Sequence, residues 1–292
     1  MLFISSSWQI DFFEKDYAMV FGGETADSYY DEGVTASMKG DVALAVQHFK
    51  MALKLDPYHV SSCHQLGRCN VRLGELQQAV ECFYRAIKGR PKSIPPRIDL
   101  GLALLEGGNV SKAETLFNEI LAKKPENTKA MLGLAGCAFQ KGEWDQAYIL
   151  VGQVMDQGGA GFAAFYLQAR AARLSGLGDV AAEAFESADH LLEKLIEGNP
   201  EQPEGYFLRG ELNFARDNFA EALDAFQAAE QRMDGAAHYY SYGEHFDLVA
   251  GLAKRGMCLF RLERLADARA LGEEILKRDP ENKIAALLMK SE

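Results

Sequence analysis

His59 and Cys63 stand four residues apart, a spacing that lays two side chains together on a helical turn and could offer an imidazole and a thiolate to a metal ion. Two ligands do not make a site. His59 also precedes the helix proper, and His48, His64, His190, His238 and His245 add no ligand or catalytic spacing. No metal site is expected. The five cysteines, Cys63, Cys69, Cys82, Cys137 and Cys258, contain no CxxC pair, which argues against a zinc knuckle or disulfide framework and suits a reducing compartment. Gly158 to Gly161 is the one glycine cluster that could cradle a phosphate, but it lacks a preceding strand and reads as a long loop. HExxH, Walker, GxSxG and GxGxxG patterns are absent, as is any strand pattern to carry them. No catalytic residue and no cofactor is assigned, and the chain reads as not an enzyme.

A second chemistry is electrostatic. No acidic residue lies between Glu81 and Asp99, whereas Arg85, Lys88, Arg90, Lys92 and Arg97 do; His64, Arg68 and Arg72 recur at helical spacing just before this run, and Arg97 begins the next helix. This basic patch could receive an acidic stretch or a terminal carboxylate of a partner, or simply face water. Around it the chain is acidic, with a formal net charge of -11 over 292 residues and a pI near 5.1. That balance opposes nucleic acid or an anionic membrane surface as the main partner. The opening "MLFISSSWQIDFFEKD" has no basic start, and no segment reaches the 18 or so apolar residues of a span, so a cytoplasmic location is expected. At 48% hydrophobic and 25% charged residues the chain can bury a substantial core.

The elements that must hold these side chains recur at a fixed interval. Gly40, Gly74, Gly108 and Gly142 are 34 residues apart, as are Ala45, Ala79, Ala113 and Ala147; Phe49, Phe83 and Phe117 keep the step, as do Gly33, Gly67 and Gly101, and Pro57, Pro91 and Pro125 close three units. A glycine such as Gly74 suits the left-handed residue that ends one helix and opens a tight turn, so each unit reads as a helix hairpin. Ala79 and Gly67 are expected to face each other where the two helices cross, small against small. Between Ala147 and Ala222 the distance is 75, two periods plus seven. Gly142 to Gly178 is 36, which places two extra residues near "DQGGAGF" and five in the helix at about 179 to 197. Gly210 to Gly256 is 46, an excess of 12, carried by "GAAHYYSYGEHF".

The pattern of aromatic, Leu-Gly, alanine, aromatic, alanine and closing proline, met by Tyr29, Gly33, Gly40, Ala45, Phe49, Ala52 and Pro57 and by Leu66, Gly67, Gly74, Ala79, Phe83, Ala86 and Pro91, resembles the tetratricopeptide repeat (TPR) family. The fourth unit departs from it, with Ala135, Val151 and Gly159 in place of glycine, aromatic and proline. The resemblance implies an all-α solenoid superhelix of about seven TPR hairpins, at about 26–59, 60–93, 94–127, 128–161, 162–202, 203–236 and 249–282. An insert lies at 237–248, and "ENKIAALLMKSE" supplies a closing helix over 283–292. No sheet is expected.

The resemblance also implies that first helices line a groove that binds other proteins. The positions one residue beyond the packing face are Ile98, Leu102, Leu105, Leu132, Phe139, Phe207, Phe214, Met257 and Phe260. Either an apolar peptide or helix covers them, or tight curvature lets neighbouring repeats bury them. Members that hold chaperone carboxylate tails carry lysine and asparagine where Tyr30, Val34 and Asp99 stand here, so another partner is implied. The reading is a protein-binding scaffold or chaperone-like assembly factor, or alternatively a regulatory subunit of a larger enzyme complex. The aromatic-rich arm over 1–25, with Phe3, Trp8, Phe12, Phe13, Tyr17 and Phe21, could cap the first repeat, enter a groove of its own or of a second copy, or dock elsewhere.

Overall fold

The computed structural model describes residues 25–235, 239–241 and 244–290. The aromatic-rich arm over 1–25, with its three competing fates of cap, groove and docking elsewhere, lies outside them, apart from residue 25. Two compact units make up the chain, residues 1–100 and 101–292, and the division falls within a helix.

In the first unit α1 (Ala26–Met38) and α2 (Val42–Leu55) form one hairpin and α3 (Val60–Arg72) and α4 (Leu76–Gly89) another, followed by the first half of α5 (Pro95–Glu106). Thr25 and Ser28 cap α1 reciprocally, and Asp41 caps α2 by accepting from the Leu44 amide at 2.9 Å. The first helix of each hairpin closes on a left-handed residue: Gly74 has φ +74° and the turn then opens α4.

The second unit continues with α6 (Val110–Leu121), α7 (Thr128–Gln140), α8 (Trp144–Asp156), α9 (Phe162–Leu174), α10 (Gly178–Gly198), α11 (Pro203–Ala215) and α12 (Phe219–Glu230). Strands β1 (Tyr239–Ser241) and β2 (Glu244–Phe246) come next, then α13 (Leu248–Arg261), α14 (Leu265–Arg278) and α15 (Lys283–Leu288). The fold is an all-α solenoid of helix hairpins with one small sheet, and that sheet corrects the expectation of none. β1 and β2 pair antiparallel, Tyr239 with Phe246, Tyr240 with His245 and Ser241 with Glu244. Tyrosine, phenylalanine and histidine within the two short strands favour this pairing, and β1 packs on α11 while β2 packs on α13.

The core follows one rule with three exceptions, the mildest in the fifth hairpin, where Ala169 holds the glycine place in the core cluster of Phe185. A methyl group placed on Gly67 would lie 2.5 Å from the ring of Phe83, so the glycine seats the phenylalanine of its own partner helix rather than facing Ala79. Gly33 and Phe49, Gly101 and Phe117, and Gly210 and Phe226 repeat the contact. Small therefore faces large, because a flat ring needs the space a missing side chain leaves. In the fourth hairpin the two sizes change together: Ala135 and Val151, both fully buried, hold the same places. In the last hairpin Gly256 receives Leu288 from α15, and Gly272 stands on α14 where the ring would be.

The seven extra residues of the fifth hairpin also fall elsewhere than expected. The left-handed turn is at Gly176, φ +78°, not at Gly178, which opens α10. Gly176 lies one whole period after Gly142, so nothing is inserted near "DQGGAGF" and all the excess lengthens α10 to 21 residues. Its buried face, Ala181, Ala184, Phe185, Ala188 and Leu192, keeps helical spacing into the added turns.

Candidate functional site

Each first helix is fixed by its glycine or alanine against the second helix, which turns the next residue in sequence toward the opposite face. In the first unit that face carries His64, Arg68 and Arg72. His64 Nε2 lies 2.7 Å from Asp99 Oδ2, and the ring packs edge-on to Phe83 at 5.9 Å, so its polarity is answered within the chain. Arg97 donates to the Pro91 carbonyl at 3.1 Å, and Arg85 donates to the Pro57 carbonyl at 3.1 Å. These arginines tie down the backbone where hairpins end. Arg68 is exposed, with its Nη1 3.5 Å from Gln65 Oε1, and Arg72 is half-buried. His59 is the N-cap of α3, its Nδ1 accepting from the Ser62 amide at 3.3 Å and its Nε2 3.0 Å from Asp27 Oδ1. The imidazole is a capping group, and Cys63 is buried. Ile98 is 6% exposed and serves packing, which removes it from the set open to a ligand.

In the second unit the apolar positions divide. Leu102 is 41% exposed and Phe260 39% exposed, whereas Leu105, Leu132, Phe139, Phe214 and Met257 are half-buried. Phe207 is 2% exposed and is corrected to an interior residue, because Phe246 of β2 stacks on it at 3.9 Å with rings 5° apart. Tyr239 stacks on the other side of Phe246 at 5.3 Å. The insert thus lies on the first-helix face of its own unit. The neighbouring residue His245 places Nε2 2.7 Å from Glu106 Oε1 of α5. One strand therefore touches the third hairpin through His245 and the sixth through Phe246.

Charged groups that the sequence reading left out complete this face. The Arg170 guanidinium lies 4.6 Å from the centre of the Phe139 ring and 5.2 Å from that of Tyr166. Glu211, 8% exposed, sits 2.7 Å from Lys254 Nζ. Asp217 holds the sixth turn in a left-handed conformation, φ 63°, and pairs with Arg173 of α9 and, at 3.6 Å, with Arg261 of α13. Tyr166 and Arg170 are 34 residues after Leu132 and Gly136, so the period could have found them. The contact of His245 with Glu106 has no period to betray it.

The thiols offer no chemistry at this face. Burial pushes Cys82 and Cys137 up to about 11 and Cys258, with Glu211 adding to the effect, up to about 12. Such thiols stay protonated and unreactive near neutral pH.

Stacked hairpins with a glycine-seated ring, and a curved face of aromatic, aliphatic and charged side chains, define the class of helical-repeat interaction proteins. Three family models described as tetratricopeptide repeat match residues 60–93, 104–171 and 185–238, together just over half of the chain. The chain belongs to the tetratricopeptide repeat family. A search of curated proteins gives no match. Among solved structures, a tetratricopeptide repeat protein from Parabacteroides merdae ATCC 43184 is 17% identical, with a TM-score of 0.56 over 91% of this chain and 97% of that one. MamA 41-end from Desulfovibrio magneticus RS-1 is 18% identical, with a TM-score of 0.50 over 58% of this chain and 96% of that one. At these identities the likeness is one of fold. Among the described residues no helix is long and apolar enough to cross a membrane.

Proposed function

We propose that the chain is a non-catalytic scaffold that holds an apolar segment of a partner protein on the first-helix face of residues 101–292, between α5 and α9. The observation that carries this reading is Leu102, 41% exposed at the position next to Gly101, with half-buried Leu105, Leu132 and Phe139 around it on the corresponding faces. Water would favour a charged residue there, and an exposed leucine beside aromatic and aliphatic neighbours gains about 25 cal/mol per Å² when a partner covers it. The Arg170 guanidinium at the edge of this surface, over Phe139, supplies a donor to fix the partner's orientation. A reducing, cytoplasmic setting agrees with five unpaired buried cysteines.

The test is crosslinking and mass spectrometry of the chain in its native cell, repeated with Leu102→Glu. Because Leu102 is exposed, the variant keeps its helix content by circular dichroism, and the crosslinked partner is lost. Undiminished capture by a folded Leu102→Glu chain overturns the reading.

A further inference from the structure

The insert supplies a likeness of the ligand. Strands of three residues in a two-stranded sheet are marginal in water, so β1 and β2 persist because of what they touch. Their contacts are of two kinds, set by strand alternation. Phe246, 3% exposed, is held between Tyr239 and Phe207, and His245 reaches Glu106 on α5. The aromatic contact is well made. The polar one is not: the His245 Nε2 is buried and 2.7 Å from Glu106 Oε1, yet it finds no acceptor in hydrogen-bonding geometry. Glu106 thus has a ring nitrogen within reach but poorly aligned with it.

We infer that this face recognises an extended segment of a partner protein in which a lysine or arginine directly precedes an aromatic residue, and that His245 and Phe246 are the chain's own, weaker occupant of the same place. An arginine would give Glu106 a permanently charged donor with two parallel N–H groups, where the imidazole offers one in poor alignment. An aromatic ring following it would take the seat of Phe246 on Phe207. The insert is tethered by α12 and α13, so it competes at high effective concentration and masks the site until it is displaced. The inference rests on the proposed function, since it names a partner segment held at the Glu106 end of that groove and carries the surface beyond α9 to Phe207 of α11.

The probe is a fluorescein-labelled Gly-Ser-Arg-Phe-Ser-Gly peptide, with Gly-Ser-Glu-Phe-Ser-Gly and Gly-Ser-Arg-Ala-Ser-Gly as controls, measured by anisotropy on the full chain and on Phe246→Ser. The variant with parent helix content binds the Arg-Phe peptide about tenfold more tightly than the parent does, because the internal competitor is removed. It prefers that peptide over both controls, and adding Glu106→Gln erases the preference over the Glu-Phe control. A folded Phe246→Ser chain that binds none of the peptides, or all three equally, overturns the inference. Should Phe246→Ser lose helix, His245→Ala is read instead; it leaves the aromatic stack in place, and about a threefold gain is expected, with an unchanged affinity counting against the inference. If capture of the cellular partner depends on Leu102 while no peptide preference is found, the groove stands and this occupant falls. If capture is also indifferent to Leu102, both fall.

Discussion

The hairpin of α3 and α4 and the hairpin of α13 and α14 solve one packing problem in two ways. In the first, Gly67 opens a slot and Phe83 of the same hairpin fills it. In the second, Gly256 opens the slot, Gly272 leaves it empty on α14, and Leu288 of α15 fills it, only 1% exposed. The difference shows that the repeat requires an occupied slot, not an aromatic on a particular helix. It also gives α15 a structural duty: the last hairpin is incomplete without it.

The largest expected effect breaks the self-contained hairpin. Phe83→Ala costs about 3–5 kcal/mol, since a fully buried ring is lost and the helices cannot close on the void, as chemical denaturation will report. Leu288→Ala costs about 2–4 kcal/mol if α15 truly completes the last hairpin; an effect below about 1 kcal/mol would reduce α15 to a surface cover. A sharper form of the same test uses Gly272→Phe. In the full chain the new ring meets Leu288 Cβ and the Ala285 carbonyl, both 3.3 Å from its Cβ, and destabilises. In a chain ending at Asn282 it fills the slot and raises the melting temperature, and a sign that does not reverse would refute the shared-slot account. Next in size, Gly67→Ala costs about 1–3 kcal/mol by pressing on Phe83, even though alanine is the better helix former.

The smallest effect is in pH. Folding holds Cys82 at about 11 and Cys258 at about 12 against an ordinary thiol value of 9.0, through burial. Below pH 9 both folded and unfolded chains keep these protons, so the thiols do not make stability pH-dependent. As pH rises past 9 the unfolded chain loses protons that the folded chain retains, and stability falls toward the folded values. Melting curves between pH 8 and 10.5 decline less steeply for Cys82→Ala and Cys258→Ala; parallel curves would mean the thiols are hydrated in the fold.

The hairpins were legible because slot and filler lie a fixed distance apart in sequence, as Gly67 and Phe83 do, so each repeat writes its own contact. Where the slot is filled from outside the unit, as by Leu288, the pattern reports a gap and says nothing about who fills it. The misplaced insertion arose from two glycines two residues apart: only the backbone dihedral of Gly176 separates the turn from the helix start at Gly178. The groove was legible as a set of positions, but Ile98 and Phe207 look alike in sequence to Leu102. Their burial depends on what packs over them, for Phe207 a strand some forty residues on. The contact between Glu106 and His245 joins residues whose placement depends on the curvature accumulated over several hairpins, which no local spacing encodes.

The lengthened α10 has a consequence for how such a solenoid can change by insertion. Seven residues complete nearly two turns at 3.6 residues each, so the added segment returns to within about 20° of its starting azimuth. Ala188 and Leu192 therefore inherit the inward heading of Ala181 and Phe185, and the helix extends by about 10 Å without rotating its seam. An insertion of five would have turned everything beyond it by about 140° and aimed the glutamates at the interior. Growth of a second helix is thus phased: lengths close to whole turns, such as about four, seven or eleven residues, keep the seam inward, and those near a half turn do not.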